Sequence, residues 1–138
     1  MSVPVNQRSQ GKLEVCVKAH DLACYTLKIT SNKKIFAEEY QQSLTDKINE
    51  TALDIWSKVW AANNILVKDE ATMNDRLDLQ QAAANECNVL LSLIEIAARI
   101  FHLASKRVAY WTEKTVTARN LIRAWRDSDR KRYTAKLK

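Results

Sequence analysis

The sequence has no glycine after Gly11 and no proline after Pro4. Sheet proteins need turn residues about every 8–12 positions, and glycine and proline are the residues that most often supply them. A chain without these residues is predicted to fold into long helices joined by few, short connections. At 138 residues it is long enough for one domain that buries about two-thirds of the surface of its unfolded chain.

The cysteine and hydropathy patterns indicate where such a protein works. Cys16, Cys24 and Cys87 are odd in number and form no CxxC pair, which is typical of buried thiols in a reducing cytoplasm. No apolar run approaches the roughly 20 residues of a membrane span, and the N-terminal MSVPVNQRSQGK lacks the apolar core of a signal peptide. The sequence therefore predicts a soluble, cytoplasmic protein without a membrane partner.

Four segments carry apolar residues at the three- and four-residue spacing of amphipathic helices. They cover about residues 12–29, 36–66, 73–103 and 105–130. Asp69 and Thr72 are capping residues that mark the second connection, and Ser105 is the predicted N-cap of the fourth helix.

These helices predict an all-α fold, an antiparallel up-down-up-down four-helix bundle over residues 12–130. Residues 1–11 are predicted to form a flexible N-terminal tail and residues 131–138 a basic C-terminal tail. The third helix is apolar nearly all round at its centre, which predicts that it is the most buried helix. Within it, Glu95 is predicted to have a cross-helix or cross-subunit partner, such as Arg99 or a basic residue of the fourth helix, because an unpaired buried charge is costly.

Trp56 and Trp60 lie beside the apolar stripe of the second helix, where a core stripe alone would not require two more tryptophans. Two interpretations remain open. Both side chains are either wedged against another helix or part of an oligomer interface, in whose core tryptophan is enriched.

Positive charge is concentrated at one end of the sequence. Residues 105–138 contain 11 Lys/Arg and 3 Asp/Glu, a net charge of +8, whereas residues 1–104 contain 11 and 13, a net charge of −2. Asymmetry of this kind suggests a polyanionic partner. The nine candidate nucleic-acid-binding residues are Lys106, Arg107, Lys114, Arg119, Arg123, Arg126, Arg130, Lys131 and Arg132.

Four of these residues, Arg119, Arg123, Arg126 and Arg130, fall on one narrow stripe of a helix. The apolar residues of the same segment lie on another side of the helix, so the arginines are predicted to form a solvent-facing ridge. Their spacing of about 5–6 Å per turn resembles the pitch of phosphates along a strand, and the arginine fork suits phosphate.

A second interpretation of the basic segment also remains open. Basic residues in a last helical turn oppose the helix macrodipole, and salt bridges to the acidic second and third helices could absorb some of the charge. Among the nearby aromatic residues, Trp111 and Trp125 are predicted to pack in the core. Tyr133 is the one considered for stacking on bases.

The sequence contains no pattern that indicates catalysis. Di-iron bundles need Glu-x-x-His pairs, but Val17 and Arg99 stand three residues before His20 and His102. HExxH, P-loop and Rossmann signatures are absent, and one glycine cannot supply a phosphate-binding loop. We predict a protein without catalytic residues, metal, cofactor or small-molecule substrate.

Several segments in order resemble a known family. They are KLEVCVKAHDLACYTLKIT, FAEEYQQSLTDKINETALDIWSKVWAANNI, RLDLQQAAANECNVLLSLIEIA and YWTEKTVTARNLIRAWRDSD, within about residues 12–128. They resemble the four-helix-bundle family that includes the accessory variability determinant (Avd) of diversity-generating retroelements. The family also includes proteins encoded in intervening sequences of bacterial large-subunit ribosomal RNA genes.

Two features are more similar to the Avd branch: the ending WAANNI of the second helix, and YWT at 110–112 before a basic helix. Two positions depart from the family pattern. Cys16 stands where an aromatic residue is frequent, and Ala37 stands where a proline is frequent. Both departures are expected to alter local packing or the helix start more than function.

The resemblance implies a non-enzymatic partner of a retroelement reverse transcriptase. Avd-like proteins form a ring-shaped homo-oligomer, a pentameric barrel, that binds the reverse transcriptase and the template RNA and is required for error-prone cDNA synthesis. The basic helix of the family matches Lys106, Arg107, Lys114, Arg119, Arg123 and Arg126. The expected partners are therefore the reverse transcriptase, template RNA or cDNA, and further copies of the chain, with Trp56 and Trp60 as candidate interface residues.

Two other functions remain open alongside this one. The chain could be of the ribosomal-intervening-sequence type, a structural bundle without specific RNA binding. It could also be a protein–protein adaptor whose basic end meets an acidic partner.

Overall fold

The structure is a computed structural model that describes the backbone of residues 5–137 and the side chains of residues 14–137. The long helices of this range are α1 (Val5–Thr30), α2 (Asp46–Asn64), α3 (Glu70–Ile100) and α4 (Ser105–Leu137). The four helices pack against one another, and the described residues contain no strand, which confirms the predicted all-α class. Within residues 5–137 no helix combines the length and apolarity needed to cross a membrane.

Each helix contributes its apolar stripe to one continuous core. The largest buried side chains of this core come from all four helices and from the connection before α2, and they include Leu22, Phe36, Ile55, Leu90 and Trp111. Burying a large apolar side chain stabilises the fold by about 1.5–3 kcal/mol. The packing of these stripes fixes which side of each helix faces solvent.

The chain enters α2 through two irregular turns rather than through one continuous helix from residue 36. A 3-10 turn, Glu38–Tyr40, is followed by a π-helical turn, Gln41–Thr45, before regular α2 begins. Upstream, the backbone N–H of Phe36 donates to the Asn32 carbonyl at 2.8 Å, which closes the turn after α1. Phe36 is thereby held outside any helix although it belongs to the apolar stripe predicted from sequence.

An aromatic cluster explains why this turn is fixed. Phe36 is fully buried, with its ring centroid 4.8 Å from that of Phe101 and 6.3 Å from that of Trp111. Tyr40 meets Phe101 edge-on at 5.8 Å. The cluster closes one end of the core at the point where the connection between α3 and α4 passes.

The predicted capping residues start α3. Asp69 accepts a hydrogen bond from the Thr72 backbone N–H at 2.9 Å, and the Thr72 hydroxyl oxygen accepts one from the Asp69 N–H at 3.1 Å. This capping box satisfies two donors that the first helical turn leaves unpaired. The bond from the Thr72 N–H also lowers the pKa of the Asp69 carboxyl.

The connection from α3 to α4 is a tight turn around His102. His102 has a φ of 52°, the left-handed conformation that normally favours glycine, and the Leu103 N–H donates to the Ala98 carbonyl at 3.2 Å. The chain has no glycine after Gly11, so a histidine takes this role.

Helical structure extends into both segments predicted as tails. Helix α4 continues to Leu137, because no glycine or proline stops the helix and the Tyr133 ring lies beside Arg76 of α3. Helix α1 begins at Val5, so residues 5–11 belong to it, while residues 1–4 and 138 lie outside the described residues.

Two expectations about burial were wrong, those for Glu95 and Cys24. The third helix, predicted to be the most buried, leaves Val89, Ile96 and Ile100 exposed on its outer side. Glu95 is also exposed and needs no buried partner. Cys24 is exposed, whereas burial raises the pKa of the Cys87 thiol to about 12 and keeps it protonated.

Candidate nucleic-acid interface

The inner side of α4 decides which of its basic residues reach solvent. Six residues at alternating four- and three-residue steps are buried: Trp111, Thr115, Ala118, Ile122, Trp125 and Asp129. Five of them are uncharged, and the sixth is a carboxylate. The burial of Trp111 and Trp125 confirms that these two tryptophans pack in the core. The basic side chains of α4 are therefore left on its flanks and outer side.

The nine predicted basic residues divide into two groups by exposure. The exposed residues are Lys106, Arg123, Arg130 and Lys131, and the half-buried residues are Arg107, Lys114, Arg119, Arg126 and Arg132. The predicted arginine ridge is thus not uniform, since it alternates between exposed and half-buried side chains.

The two half-buried arginines of the ridge bond to α3. Arg119 donates from Nη1 to the Asn88 side-chain oxygen at 3.0 Å, and Arg126 donates from Nε to the Leu77 carbonyl at 3.0 Å. Both acceptors are uncharged, so neither bond places a compensating negative charge beside the guanidinium. These two arginines are held in place by the protomer itself, unlike Arg123.

A buried cluster of charges joins α3 to the C-terminal half of α4. Arg76 and Asp129 are each only 2% exposed, and the Arg76 Nε lies 2.7 Å from Asp129 Oδ2. Gln80 donates to the same carboxylate oxygen at 2.7 Å. Arg76 Nη1 also donates to the carbonyls of Ala62 and Ile65 at the end of α2. One guanidinium therefore ties three helices together.

Aromatic rings enclose this cluster. The Arg76 Cζ lies 5.2 Å from the centroid of the Trp125 ring and 5.7 Å from that of Tyr133. Arg132 donates to Asp129 Oδ1 at 2.9 Å and to the Tyr133 hydroxyl at 2.8 Å. Tyr133, the residue considered for stacking on bases, is half-buried with its ring already beside two guanidinium groups.

A second basic and aromatic cluster lies between α1 and the N-terminal half of α4, and we call it the α1–α4 groove. The rings of Tyr25 and Tyr110 meet edge-on at 5.0 Å. Lys114 Nζ lies 5.3 Å from the Tyr110 centroid and 5.8 Å from the Tyr25 centroid. Tyr110 is 53% exposed. Beside it opens a cavity of about 220 Å³ lined by Lys18, Tyr110, Glu113, Lys114 and Thr117.

The floor of the groove is rigid. The Trp111 indole N–H donates to the Thr26 hydroxyl at 3.0 Å, and both residues are fully buried. Thr26 in turn donates to the Leu22 carbonyl at 2.8 Å. Burial raises the pKa of Tyr25, and the charge of Arg107 opposes this shift. Arg107 stands three residues before Tyr110 and seven before Lys114 on α4, so the three residues lie on the same side of this helix.

Two groups of apolar side chains that the protomer leaves open lie on α2 and on the outer side of α3. On α2, Trp60 is 50% exposed and Leu53 lies near it on the helix surface, with Trp56 half-buried. On α3, the outer side carries Val89, Leu93, Ile96 and Ile100 at four-, three- and four-residue steps. The first open interpretation of the tryptophans, wedging against another helix, does not fit Trp60, which the protomer leaves half exposed.

The described side chains bring together no group of three or more His, Cys, Asp or Glu residues that could hold a metal ion. His20 is exposed and contacts Cys24 at 3.8 Å, and His102 forms the turn between α3 and α4.

Sequence reasoning missed the α1–α4 groove and the buried Arg76–Asp129 pair. Tyr110 and Lys114 stand four residues apart on one helix, which is a signal that could have been used. Tyr25 and Lys18 come from α1, and only the packing of the helices brings them to the same place. Arg76 and Asp129 resemble ordinary surface charges until the inner side of α4 is known.

Comparisons of this chain with models of protein families, with curated proteins and with solved structures found no match.

Proposed function

We propose that this chain is a non-catalytic accessory subunit of a retroelement reverse transcriptase, binding template RNA or cDNA through α4 and supporting mutagenic cDNA synthesis. The observation that carries the proposal is the net charge of +8 on residues 105–138 of a chain whose remainder is at −2. Such a charge attracts a phosphate backbone and releases its counterions. The resemblance to the Avd branch supplies the reverse transcriptase as the partner, and the odd number of cysteines without a CxxC pair supplies a cytoplasmic location.

The exposure of individual residues supports a modified version of the predicted arginine ridge, in which the exposed basic residues contact phosphate. Arg123, Arg130 and Lys131 are exposed near the C-terminal half of α4, and Lys106 is exposed at its start. Arg130 makes an exposed ion pair with Asp127 at 3.8 Å, which contributes little at such a surface. Arg119 and Arg126 add to the positive potential of this surface. Their positions are fixed, because each guanidinium donates a hydrogen bond to an uncharged oxygen of α3.

We also infer the antiparallel up-down-up-down arrangement of the bundle. Arg119 bonds to Asn88, whereas Arg126, later in α4, bonds to Leu77, earlier in α3. Opposite directions of α3 and α4 account for this order. The bond from the Thr30 hydroxyl, at the end of α1, to the Asn49 side chain, near the start of α2, is consistent with a reversal there too.

The two exposed apolar surfaces support self-association into a ring. A head-to-tail ring joins two different surfaces of the same chain, unlike a two-fold dimer, which uses one surface twice. The surface around Trp60 on α2 and the outer stripe of α3 are such a pair, and exposed apolar patches mark protein contacts. A pentamer built this way would repeat α4 around its axis and strengthen the positive field.

The proposal is tested by RNA binding across a salt series. Fluorescence anisotropy of a labelled single-stranded RNA is measured from 50 to 200 mM salt for the wild type and for the triple variant Lys106→Ala, Arg123→Ala and Lys131→Ala. We expect wild-type affinity to fall steeply with salt and the slope of the variant to be shallower by up to about 0.7 per lost contact.

A matched control has the same change of charge elsewhere. Lys28, Lys34 and Lys47 are exposed residues outside α4, and their triple alanine variant is expected to retain nearly the wild-type slope. If the two triple variants weaken RNA binding equally, net charge alone accounts for the effect. Absence of wild-type binding would overturn the proposal and favour the intervening-sequence-type adaptor. Co-purification with a retroelement reverse transcriptase then tests the protein partner.

A further inference from the structure

The α1–α4 groove has features that the phosphate contacts of α4 do not require. Phosphate binding needs cations alone, but the groove combines cations with an exposed aromatic ring and a cavity. Tyr110 keeps 53% of its surface exposed although Tyr25 and Lys114 both contact it. These two contacts fix the orientation of the ring, so that its remaining surface is presented to solvent without freedom to turn away.

We propose that the α1–α4 groove binds an unpaired nucleobase, which stacks on Tyr110 while Lys18, Lys114 and Arg107 contact the flanking phosphates. This inference rests on the proposed function. It adds a second binding site for the same nucleic acid and specifies that the bound segment is single-stranded. The bound segment has to be single-stranded, because the bases of a duplex are stacked on one another and present no free face to the Tyr110 ring.

The size and lining of the cavity fit such a ligand. Its volume of about 220 Å³ lies below the roughly 300–1,000 Å³ of pockets for drug-sized molecules, so it is suited to part of a polymer rather than to a whole cofactor. Glu113 and Thr117 in the lining supply hydrogen-bonding groups for a base edge. The single carboxylate of Glu113 is outnumbered by Lys18 and Lys114, so the field at the groove stays favourable for phosphate.

The arrangement also differs from the other aromatic and basic cluster of α4. Tyr133 lies beside Arg76 and Arg132, whose guanidinium groups are bound to the buried Asp129. Among the side chains of residues 14–137, no such buried carboxylate lies beside the cations around Tyr110; Glu113, on the groove lining, is exposed. Tyr110 is therefore the better platform, although Tyr133 was the one considered from sequence.

The test compares single-stranded and duplex RNA of equal length with Tyr110→Leu, which keeps apolar volume without the ring, and Tyr110→Phe, which keeps the ring without the hydroxyl. We expect Tyr110→Leu to weaken single-strand binding by about 5- to 140-fold and to leave duplex binding unchanged. Its salt slope should equal that of the wild type, because no phosphate contact is lost. Tyr110→Phe should bind nearly as the wild type does.

Each other outcome has a distinct meaning. Wild-type binding with a normal salt slope that Tyr110→Leu does not weaken would overturn this inference and leave the proposed function standing. Equal weakening toward both RNAs would also overturn it, as would equal competition by polyglutamate, which has charge but no bases. Failure of the wild type to bind any RNA would overturn the proposed function itself.

A second measurement locates the base directly and controls for folding. RNA containing 4-thiouridine is crosslinked to the wild type, and the adduct is mapped by mass spectrometry. We expect it on Tyr110 or on the adjacent groove residues, and an adduct confined to the region of Tyr133 would contradict the inference. Circular dichroism and the Tm of Tyr110→Leu confirm that the variant is folded.

Discussion

The two halves of α4 use the same kinds of side chain in opposite ways. In the C-terminal half, the buried Asp129 pairs with Arg76 of α3 and with Arg132, and the rings of Trp125 and Tyr133 lie beside these guanidinium groups. The other basic residues of this half, Arg123, Arg130 and Lys131, stay exposed. In the N-terminal half, Tyr110 and Lys114 lie at the edge of an open groove with α1. The difference teaches that a basic, aromatic segment is not by itself a binding site. Such a cluster is available to bind an anion when the fold places no buried carboxylate at the centre of the cluster.

The comparison predicts that Asp129 carries the largest effect on stability. Replacing Asp129 by alanine leaves Arg76 as an unpaired buried charge, and breaking such a pair costs about 3–5 kcal/mol of unfolding free energy. Equilibrium denaturation by urea measures the loss. The double variant Arg76→Met and Asp129→Leu removes both charges and is expected to recover most of it. A loss below about 1 kcal/mol for Asp129→Ala would show that the pair is solvated in solution.

The floor of the groove should show the next largest effect. Thr26→Val keeps the shape of the side chain but removes the acceptor for the Trp111 N–H. An unsatisfied buried donor costs about 1–3 kcal/mol, and thermal unfolding reports the change. The double variant that adds Trp111→Phe removes the donor as well, so the second substitution should cost less in this background than alone. If the two substitutions are additive, the bond does not contribute.

Arg126 and Arg123 offer a closer test of the division on the C-terminal half itself. Arg126→Ala loses the bond to the Leu77 carbonyl and is expected to cost about 0.5–1.5 kcal/mol of stability. The exposed Arg123, replaced by alanine, should change stability by less than about 0.5 kcal/mol. In RNA binding the order should reverse, with Arg123→Ala having the shallower salt slope. Equal behaviour of the two variants in both assays would show that Arg126 and Arg123 do not divide into a structural and an RNA-contacting residue.

The turn between α3 and α4 should give the smallest effect, and of opposite sign. His102 adopts the left-handed conformation, which costs a residue other than glycine about 1–2 kcal/mol, whereas glycine loses about 0.5–1 kcal/mol through its entropy in the unfolded chain. His102→Gly should therefore raise stability by about 0.5 kcal/mol. A rise in the Tm would verify this, and His102→Ala serves as the control that should not raise it.

The all-α class and the start of α3 could be predicted from sequence because they depend on local signals. Missing glycine and proline favour long helices, and Asp69 with Thr72 forms a capping box within four residues. The π-helical turn before α2 could not be predicted, because Phe36 is held by Phe101 and Trp111 from distant parts of the chain. Helical periodicity alone predicts that Phe36 belongs to the first turn of a helix.

The candidate site was predictable in its location but not in its details. The charge of residues 105–138 is visible in the sequence, and so is the stripe of four arginines. Which arginines bond to α3 depends on the rotation of α4 about its axis, and that rotation is set by the buried residues from Trp111 to Asp129. An acidic residue among those inward positions is not expected from a hydrophobic pattern.

The bond between Thr26 and Trp111 also has a consequence for how the chain folds. These residues are 85 positions apart, whereas the other helix pairs with extensive contacts are consecutive along the chain. Contacts of long sequence separation form late, because the entropy of closing the intervening loop must be overcome first. A ribosome-bound chain lacking α4 has no groove at all. Recognition of an unpaired base there would be confined to molecules that have finished both synthesis and folding.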